Sequence, residues 1–339
     1  MRTRLFGNTG LRVSEFFLGT MSFGAPDTGT EGLDTHRRVL DAYAEAGGNT
    51  LDTANFYQDG RGESTVGELL AGRRDEFVLA SKYTGPRSTT DPNAAGSHRK
   101  NLRLSLEQSL RRLGTDYLDI YWVHIWDRHT PVEETMRALD DAVTSGKVLY
   151  VGISDAPAWV ITHANTLADW RGWTPFAGVQ APYSLLRRDV ERELLPMAER
   201  FGLTLAAWGA LAHGALAGAG TAGGPEAGAG PGADTGRWQR EQRVRYTLKV
   251  VAEELDVPPA QVALAWLHGR SHAVHPILGA ATPGQLAENL EALALELPAE
   301  ARARLDAASD IALGFPADFI TTVGPDVFPQ DHARLDARV

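Results

Sequence analysis

Eight short runs rich in aliphatic and β-branched residues alternate with amphipathic helical segments along this chain of 339 residues. Most of these runs are unbroken apolar stretches, which is typical of parallel strands that helices cover on both faces. The runs span residues 15–19, 50–53, 77–82, 117–124, 148–154, 176–180, 203–208 and 274–279. Eight strands that alternate with helices predict an α/β fold of the (β/α)8 TIM-barrel type.

A doubly wound sheet of the Rossmann type is the alternative to a barrel. That fold would place a G-x-G-x-x-G motif directly after an early strand. After Leu18 the chain instead reads Gly19-Thr20-Met21-Ser22-Phe23-Gly24, which lacks this spacing. The sequence therefore disfavours a Rossmann-type dinucleotide domain.

The whole chain, residues 1–339, is expected to form a single barrel domain. Residues 1–14, with a turn at Gly7-Asn8-Thr9-Gly10, predict an N-terminal β-hairpin that plugs one end of the barrel. Residues 15–310 would form the barrel itself and residues 311–339 a C-terminal tail. Helices are predicted over residues 36–46, 65–71, 102–113, 132–145, 157–170, 190–201, 241–255 and 283–293.

A glycine-rich segment, residues 214–236, interrupts the alternation of strands and helices between the seventh and eighth strands. It contains nine glycines and no aromatic residue, so it cannot bury a core of its own. Two interpretations remain open: a solvated insertion, or a flexible lid over a ligand at the C-terminal face of the barrel.

Composition excludes several classes of protein. The absence of cysteine removes disulfides, thiolate metal sites and cysteine nucleophiles, and the ten histidines show no ligand spacing that predicts a metal site. A formal net charge of −10 argues against a nucleic-acid partner. With no apolar run long enough for a signal peptide or a membrane span, a soluble cytoplasmic enzyme is expected, and its oligomeric state is not readable.

Ionisable side chains end three consecutive strands. Asp52, Lys82 and His124 lie at the C-terminal ends of the second, third and fourth runs, and Tyr57 follows the second. Singly, each has an ordinary structural explanation. Because polar residues at these strand ends form the active site of a barrel, three in succession indicate one cluster.

This cluster has the composition of a proton-transfer site. A neighbouring lysine cation stabilises tyrosinate, so it turns a weak phenolic acid into a usable one. A paired aspartate would hold Lys82 in place, and His124 could orient a carbonyl group. The sequence thus predicts that Tyr57 protonates a carbonyl oxygen while hydride reaches the carbon.

The chain resembles the aldo-keto reductase superfamily over about residues 1–310. The matching pieces are Gly19-Thr20-Met21, Asp52-Thr53-Ala54 with Tyr57, Ser81-Lys82, His124, Val151-Gly152-Ile153-Ser154, Val179-Gln180, and Gly279 followed by Gln285-Leu286 and Glu288-Asn289-Leu290. The resemblance implies Tyr57 as acid/base, with Asp52, Lys82 and His124 completing a tetrad. It also implies a nicotinamide dinucleotide that binds across the barrel mouth.

The resemblance further implies which residues contact that cofactor. Ser154 and Gln180 would hold the nicotinamide carboxamide, and Trp208 would stack on the ring, although it could also be a core filler. Glu288 and Asn289 would contact adenine, and the helix that begins near Thr282-Pro283 would receive a phosphate. The remaining implied contacts are Thr20, Met21, Asp155, Gly209, Ala210, Leu211, Gly279 and Gln285.

A pocket of aromatic side chains is expected to receive the substrate, a small-molecule carbonyl compound such as an aldehyde, a ketone or a keto-sugar. Residues of the tail beyond Gly314 would help to close this pocket. Its expected walls are Phe23, Phe56, Tyr83 and Trp126.

Three positions depart from the family pattern. Asp155 replaces a common asparagine; its charge would favour the oxidised cofactor, or it caps the helix that begins at Pro157. Ala281 lacks the basic side chain that often grips the 2′-phosphate, so NADPH is expected with NADH as a possibility. The segment after Trp208 has lost a serine and a proline and has gained His213.

Two functions follow from these features. The first is NAD(P)H-dependent reduction of a carbonyl to an alcohol with Tyr57 as the proton donor. The second is a nicotinamide-binding regulatory or partner subunit with little turnover. The complete tetrad favours the enzyme, because a pure binding module has no need of an activated tyrosine.

Overall fold

Eight parallel strands hydrogen-bond in chain order and close into a ring, which confirms the predicted (β/α)8 barrel. The computed structural model describes residues 1–25, 29–218 and 235–328. An antiparallel hairpin of β1 (Thr3–Leu5) and β2 (Arg12–Ser14) precedes the ring. The barrel strands are β3 (Phe17–Gly19), β4 (Thr50–Asp52), β5 (Val78–Tyr83), β6 (Leu118–Val123), β7 (Val148–Ser154), β8 (Phe176–Pro182), β9 (Thr204–Trp208) and β10 (Val274–Leu278). Strand β10 closes the ring because it pairs with both β3 and β9.

Along the described ranges the chain also forms eleven α-helices. These are α1 (Gly29–Glu45), α2 (Arg61–Leu69), α3 (Arg99–Leu113), α4 (Val132–Thr144), α5 (Ala158–Arg171), α6 (Leu194–Phe201), α7 (Thr235–Leu255), α8 (Pro259–His268), α9 (Pro283–Leu290), α10 (Ala299–Ala308) and α11 (Ala317–Val327). The predicted helices are all present with shifted ends. Three more, α8, α10 and α11, were not predicted; α8 was missed because it is buried on nearly all sides and shows only a weak helical period.

The hairpin closes one end of the barrel, as predicted. Phe6, at its turn, is fully buried and meets the ring of Trp122 edge-on, with the two ring centroids 5.9 Å apart. The backbone N–H of Gly7 donates to Thr204 Oγ1 at 2.9 Å and so joins the turn to strand β9. The barrel floor is therefore an apolar plug.

Strand alternation decides which side chains enter the barrel. On β5, Val78, Ala80 and Lys82 face the interior, whereas Leu79 and Tyr83 belong to the layer between strands and helices. The apolar cluster that fills the lower barrel interior, the plug included, consists of Phe6, Val13, Phe17, Val78, Ala80, Ile120, Trp122, Ala177 and Ala206. Its apolar floor sets the depth at which Lys82 lies.

Two glycines on adjacent strands make room for the Trp122 indole. A Cβ at Gly152 would lie 2.3 Å from Trp122 Cζ3, and a Cβ at Gly178 would lie 2.7 Å from Phe6 Cζ. Both distances are far below van der Waals contact. The aromatic rings of Phe6 and Trp122 thus fill space that strand side chains would otherwise occupy.

The glycine-rich segment and the tail are only partly within the described residues. Residues 214–218 are described, whereas 219–234, which include most of the predicted loop, lie outside. Of the tail, residues 311–328 are described and contain α11 (Ala317–Val327). None of the helices in the described ranges is long and apolar enough to cross a membrane.

Substitution of Gly152 by alanine should destabilise the barrel by about 1–3 kcal/mol, because the added methyl group forces the buried Trp122 ring to shift. Gly10→Ala is the matched control, since a Cβ there meets no atom within 4 Å. Urea unfolding followed by circular dichroism measures both variants. Equal stability of the two variants would contradict the packing role of Gly152.

Candidate active site

A buried ion pair lies at the C-terminal end of the barrel interior. Asp52 ends strand β4 and Lys82 lies on β5; their residues are 3% and 0% exposed. Lys82 Nζ donates to Asp52 Oδ2 at 2.5 Å, to the Thr53 carbonyl oxygen at 2.8 Å and to Tyr57 Oη at 3.0 Å. All three donors of the ammonium group are thereby used, so its position is fixed.

Asp52 is held from the opposite side of the barrel as well. Gln180, on β8, donates from Nε2 to Asp52 Oδ1 at 3.0 Å. The carboxylate therefore accepts one hydrogen bond at each oxygen from residues on two different strands. Hydrogen bonds at both oxygens offset part of the cost of burying this carboxylate.

The charge of Lys82 follows from its surroundings. Burial has the largest effect and opposes the charged form, but the charges of Asp52 and Tyr57 and the hydrogen bonds to both raise the pKa of Lys82 above its usual value. The lysine is thus a cation at neutral pH. Its hydrogen bond to the phenol oxygen places a positive charge 3.0 Å from Tyr57 Oη.

Tyr57 reaches this cation from the short loop that follows β4. Its backbone N–H donates to the Ala54 carbonyl oxygen at 3.2 Å, and a single 3-10 turn runs from Tyr57 to Gly60. Gln58 and Asp59, within that turn, have φ values of 51° and 56°. Left-handed backbone at two non-glycine residues is costly, so the loop is held in place by its neighbours.

His124 forms the fourth part of the cluster directly after β6. Its ring meets Tyr57 edge-on with centroids 5.9 Å apart and stacks on Phe56 at 4.9 Å. Burial, together with the positive charge of Lys82, lowers the pKa of His124 from 6.5 to about 3. The neutral ring offers one N–H and one lone pair, as orientation of a carbonyl requires.

His124 should stay neutral from pH 8 down to about pH 4. The unfolded chain takes up the imidazole proton near pH 6.5 but the folded protein only near pH 3, so this residue reduces stability as the pH falls through that interval. Imidazole NMR resonances, assigned with a His124→Gln variant, measure its titration. A midpoint near 6.5 in the folded protein would contradict this assignment.

Three inward-facing residues end the next strands of the barrel. Ser154 lies opposite Gln180 in the β7–β8 pairing, and Trp208 ends β9. Ser154 is 1% exposed, and its hydroxyl makes no hydrogen bond of regular geometry in the described structure. It lies close enough to the Asp155 carboxylate to oppose the rise that burial causes in the pKa of that group. A buried hydroxyl without a regular hydrogen bond is suited to bind a polar ligand group, such as the carboxamide that the sequence predicts there.

A buried polar group without a partner lies at the predicted adenine end. Asn289, on α9, is 3% exposed, and its Nδ2 atom finds no acceptor among the described residues. Thr282 caps this helix by accepting from the Gln285 backbone N–H at 3.2 Å. The Gln285 side chain is already engaged with the Ala281 N–H, and Glu288 is exposed. The polar groups present thus fit a dinucleotide.

Asp155 does not cap helix α5, which corrects one of its two predicted roles. Pro157 occupies the N-cap position of α5, without a side-chain capping bond. Asp155, at φ 49°, instead accepts a hydrogen bond from Trp208 Nε1 at 3.3 Å. The turn after β7 places the Asp155 carboxylate beside the Trp208 indole. The other predicted role of Asp155, that its charge favours the oxidised cofactor, stays a prediction.

The other predicted cofactor contacts line the same end of the barrel. Thr20 follows β3, and its N–H and hydroxyl both donate to the Asp52 carbonyl oxygen, at 2.9 and 3.1 Å. Met21 is 57% exposed. The segment after β9 includes Gly209, Ala210 and Leu211, and Gly279 directly follows β10.

Two of the four predicted pocket walls are core residues instead. Tyr83 faces away from the barrel interior, stacks on Tyr121 with centroids 5.1 Å apart and is fully buried. Phe23 is 1% exposed and stacks on His36 at 4.2 Å. Strand alternation after Lys82 accounts for Tyr83, since adjacent residues on a strand point to opposite faces.

The other two predicted pocket walls, Phe56 and Trp126, differ in their surroundings. Phe56 is 41% exposed beside His124, and Trp126 meets Trp159 edge-on with centroids 5.6 Å apart. Sequence reasoning missed Trp159, although it lies on α5 just beyond Asp155. The described tail residues Phe315 and Phe319 contact each other and are largely exposed.

The sequence model of the aldo/keto reductase family matches residues 15–310. The chain belongs to this family of oxidoreductases. It is 40% identical over 327 residues to a norsolorinic acid reductase of Aspergillus flavus, with 93% of this chain and 83% of that protein covered. An aryl-alcohol dehydrogenase of Pestalotiopsis microspora is 39% identical, with coverage of 95% and 85%. A putative aryl-alcohol dehydrogenase of Saccharomyces cerevisiae is 35% identical, with coverage of 94% and 89%.

Proposed function

We propose that this aldo/keto reductase reduces an aldehyde or ketone to an alcohol with NAD(P)H, and that Tyr57 donates the proton. The observation that carries the proposal is the buried Lys82, whose ammonium group donates to both Asp52 and Tyr57. A structural tyrosine has no need of such a cation. A regulatory subunit with little turnover would have no use for it either.

The reaction follows from this geometry. The chemistry that a bound nicotinamide dinucleotide would supply is a hydride for the carbonyl carbon. Tyr57 Oη gives its proton to the carbonyl oxygen, and the resulting tyrosinate is stabilised by the Lys82 ammonium group. Asp52 keeps that ammonium in place, and solvent returns the proton to Tyr57. Neutral His124 donates a hydrogen bond to the carbonyl oxygen and so orients it.

Residues on three strand ends and one helix would hold the cofactor. The Ser154 hydroxyl and the side-chain carbonyl oxygen of Gln180 would bind the carboxamide. Gln180 would use its oxygen for this contact because its Nε2 atom already donates to Asp52. The exposed face of the Trp208 ring would support the nicotinamide. The Asn289 amide and the N-terminus of α9 would receive the adenosine end.

The substrate class is proposed from the aromatic walls. Phe56 offers a flat apolar surface that stacks on His124, and the paired rings of Trp126 and Trp159 lie after β6 and at the start of α5, respectively. Such surfaces suit an aromatic aldehyde or ketone more than a polar keto-sugar. The relatives named norsolorinic acid reductase and aryl-alcohol dehydrogenase agree with this choice.

Substitution of Tyr57 by phenylalanine should lower kcat at least 100-fold, because it removes only the phenolic proton donor. Binding of the reduced cofactor, followed by its fluorescence, should stay within about 3-fold of wild type, since Tyr57 supplies no proposed cofactor contact. Tyr246→Phe is the matched control at a side chain that is 71% exposed. Undiminished oxidation of NAD(P)H by an aromatic aldehyde in Tyr57→Phe would contradict the assignment.

The cofactor proposed is NADPH on the ground of the family resemblance alone, and NADH is the alternative that the residues around α9 favour. Ala281, at the start of the α9 turn, leaves no basic side chain there, and residues 277–292 contain neither Lys nor Arg. Arg270, another candidate for the 2′-phosphate, is engaged with Tyr183 Oη at 3.2 Å and Asp306 at 2.9 Å. A grip on the 2′-phosphate is therefore expected to be weak.

Introduction of arginine at Ala281 should tighten NADPH binding about 10-fold and leave NADH binding unchanged, because a guanidinium group can bind the 2′-phosphate in a bidentate manner. Fluorescence titration with each nucleotide measures both constants, and Ala281→Met controls for side-chain length. Equal tightening of NADH would show that the effect does not come from the 2′-phosphate.

A further inference from the structure

A carboxylate with no exposed surface lies beneath the loop that carries Tyr57. Glu63, in the first turn of α2, is 0% exposed and accepts from Ser81 Oγ at 2.7 Å and from Arg112 Nη1 at 3.2 Å. Ser81 directly precedes Lys82 on β5. Through this hydrogen bond, the strand that positions the lysine is tied to α2.

Arg112, on α3, connects the same carboxylate to the tyrosine loop. Its Nη1 atom donates to the Asn55 carbonyl oxygen at 2.7 Å, two residues before Tyr57. The guanidinium also lies against Gly60, where the turn ends; a Cβ there would come within 2.2 Å of Arg112 Cζ. Gly60 has φ 88°, a conformation that glycine tolerates. Arg112 thus braces both ends of the segment from Asn55 to Gly60.

The backbone of this segment has few supports of its own. Asn55 N–H donates to the Lys82 carbonyl oxygen at 3.2 Å, and the remaining bonds close short turns within the loop. Gln58 and Asp59 are held in left-handed conformations, which persist only where surroundings impose them. The Glu63–Arg112 pair is the charged part of those surroundings.

We propose that Glu63 and Arg112 are positioning residues that set the contact between Tyr57 Oη and Lys82 Nζ. This inference rests on the proposed function, because it assigns the pair a catalytic consequence. Glu63 fixes Ser81, and with it the strand of Lys82; Arg112 fixes the loop of Tyr57. Because the Glu63 carboxylate binds both Ser81 and Arg112, it sets the position of Lys82 relative to Tyr57. A displacement of the phenol by about 1 Å would cost on the order of 100-fold in rate.

The control for the test is Asp119, a carboxylate that is hydrogen-bonded to β5 near the N-terminal end of that strand. Asp119 accepts from Leu79 N–H on β5 at 2.9 Å and pairs with Arg74 at 2.8 Å, so it resembles Glu63 in burial and in bonding. Glu63→Gln and Asp119→Asn remove one charge each without a change of shape. Both variants should lose stability, because each leaves a part-buried guanidinium without its carboxylate.

Two measurements on folded protein follow the position of the loop and its consequence. In Glu63→Gln, hydrogen exchange of the peptide 53–60 should accelerate at least 10-fold, and kcat should fall at least 10-fold while the Kd of the reduced cofactor stays within about 2-fold. In Asp119→Asn, exchange of this peptide and kcat should both stay near wild type. Arg112 is 25% exposed, so added guanidinium should restore part of the kcat of Arg112→Ala, and Arg112→Lys should retain more activity than Arg112→Ala.

The outcomes separate this inference from the proposed function. Unchanged exchange of peptide 53–60 in Glu63→Gln, or equal acceleration in Asp119→Asn, would overturn the positioning role. If Glu63→Gln does not fold, Arg112→Lys carries the same comparison. If the wild-type protein reduces no carbonyl compound, the proposed function is contradicted. Accelerated exchange of peptide 53–60 in Glu63→Gln would still support the role of Glu63 in positioning the loop.

Discussion

The buried contact between Lys82 and Asp52 is the interaction on which the site depends. Two opposite charges lie in a barrel interior where neither would be stable alone, and each is completed by hydrogen bonds from other elements. Their pairing fixes a cation beside the phenol of Tyr57. Burial is the larger cause of the lowered pKa of His124, and the positive charge of Lys82 adds to it. The ion pair thereby keeps the lysine charged against the effect of burial and, together with burial, keeps the histidine neutral.

The rest of the barrel supports this pair at the correct depth. The plug of Phe6 and Trp122 fills the lower interior, and Gly152 and Gly178 leave room for it. Inward-facing positions above the plug are then the ends of consecutive strands, where Asp52, Lys82, His124, Ser154, Gln180 and Trp208 lie. Outside the barrel, Glu63 and Arg112 connect the strand of Lys82 to the loop of Tyr57. The reacting groups at the barrel mouth are thus positioned by the apolar plug beneath them and by the Glu63–Arg112 ion pair outside the barrel.

Much of this was predictable from sequence, for physical reasons. Buried parallel strands are continuous apolar runs, so the eight strands and the ionisable residues at their ends could be read directly. Tyr83 was misplaced as a pocket wall because it directly follows Lys82, and adjacent residues on a strand point to opposite faces. Phe23 was misplaced because it stacks on His36 of α1, a contact that no local pattern shows. The bond from Trp208 to Asp155 and the bracing by Arg112 join residues 53 and 57 positions apart, and no local pattern contains such contacts. Helix α8 was missed because burial on nearly all sides hides its period.

The most direct test of the central claim is a double-mutant cycle of kcat for Tyr57→Phe and Lys82→Met with an aromatic aldehyde and saturating reduced cofactor. If Lys82 acts through the phenol, the double variant should be no more than about 3-fold slower than the slower single variant, because residues that act as one unit are not additive. Losses that multiply across the two single variants would show that Lys82 and Tyr57 act independently, and would contradict the account.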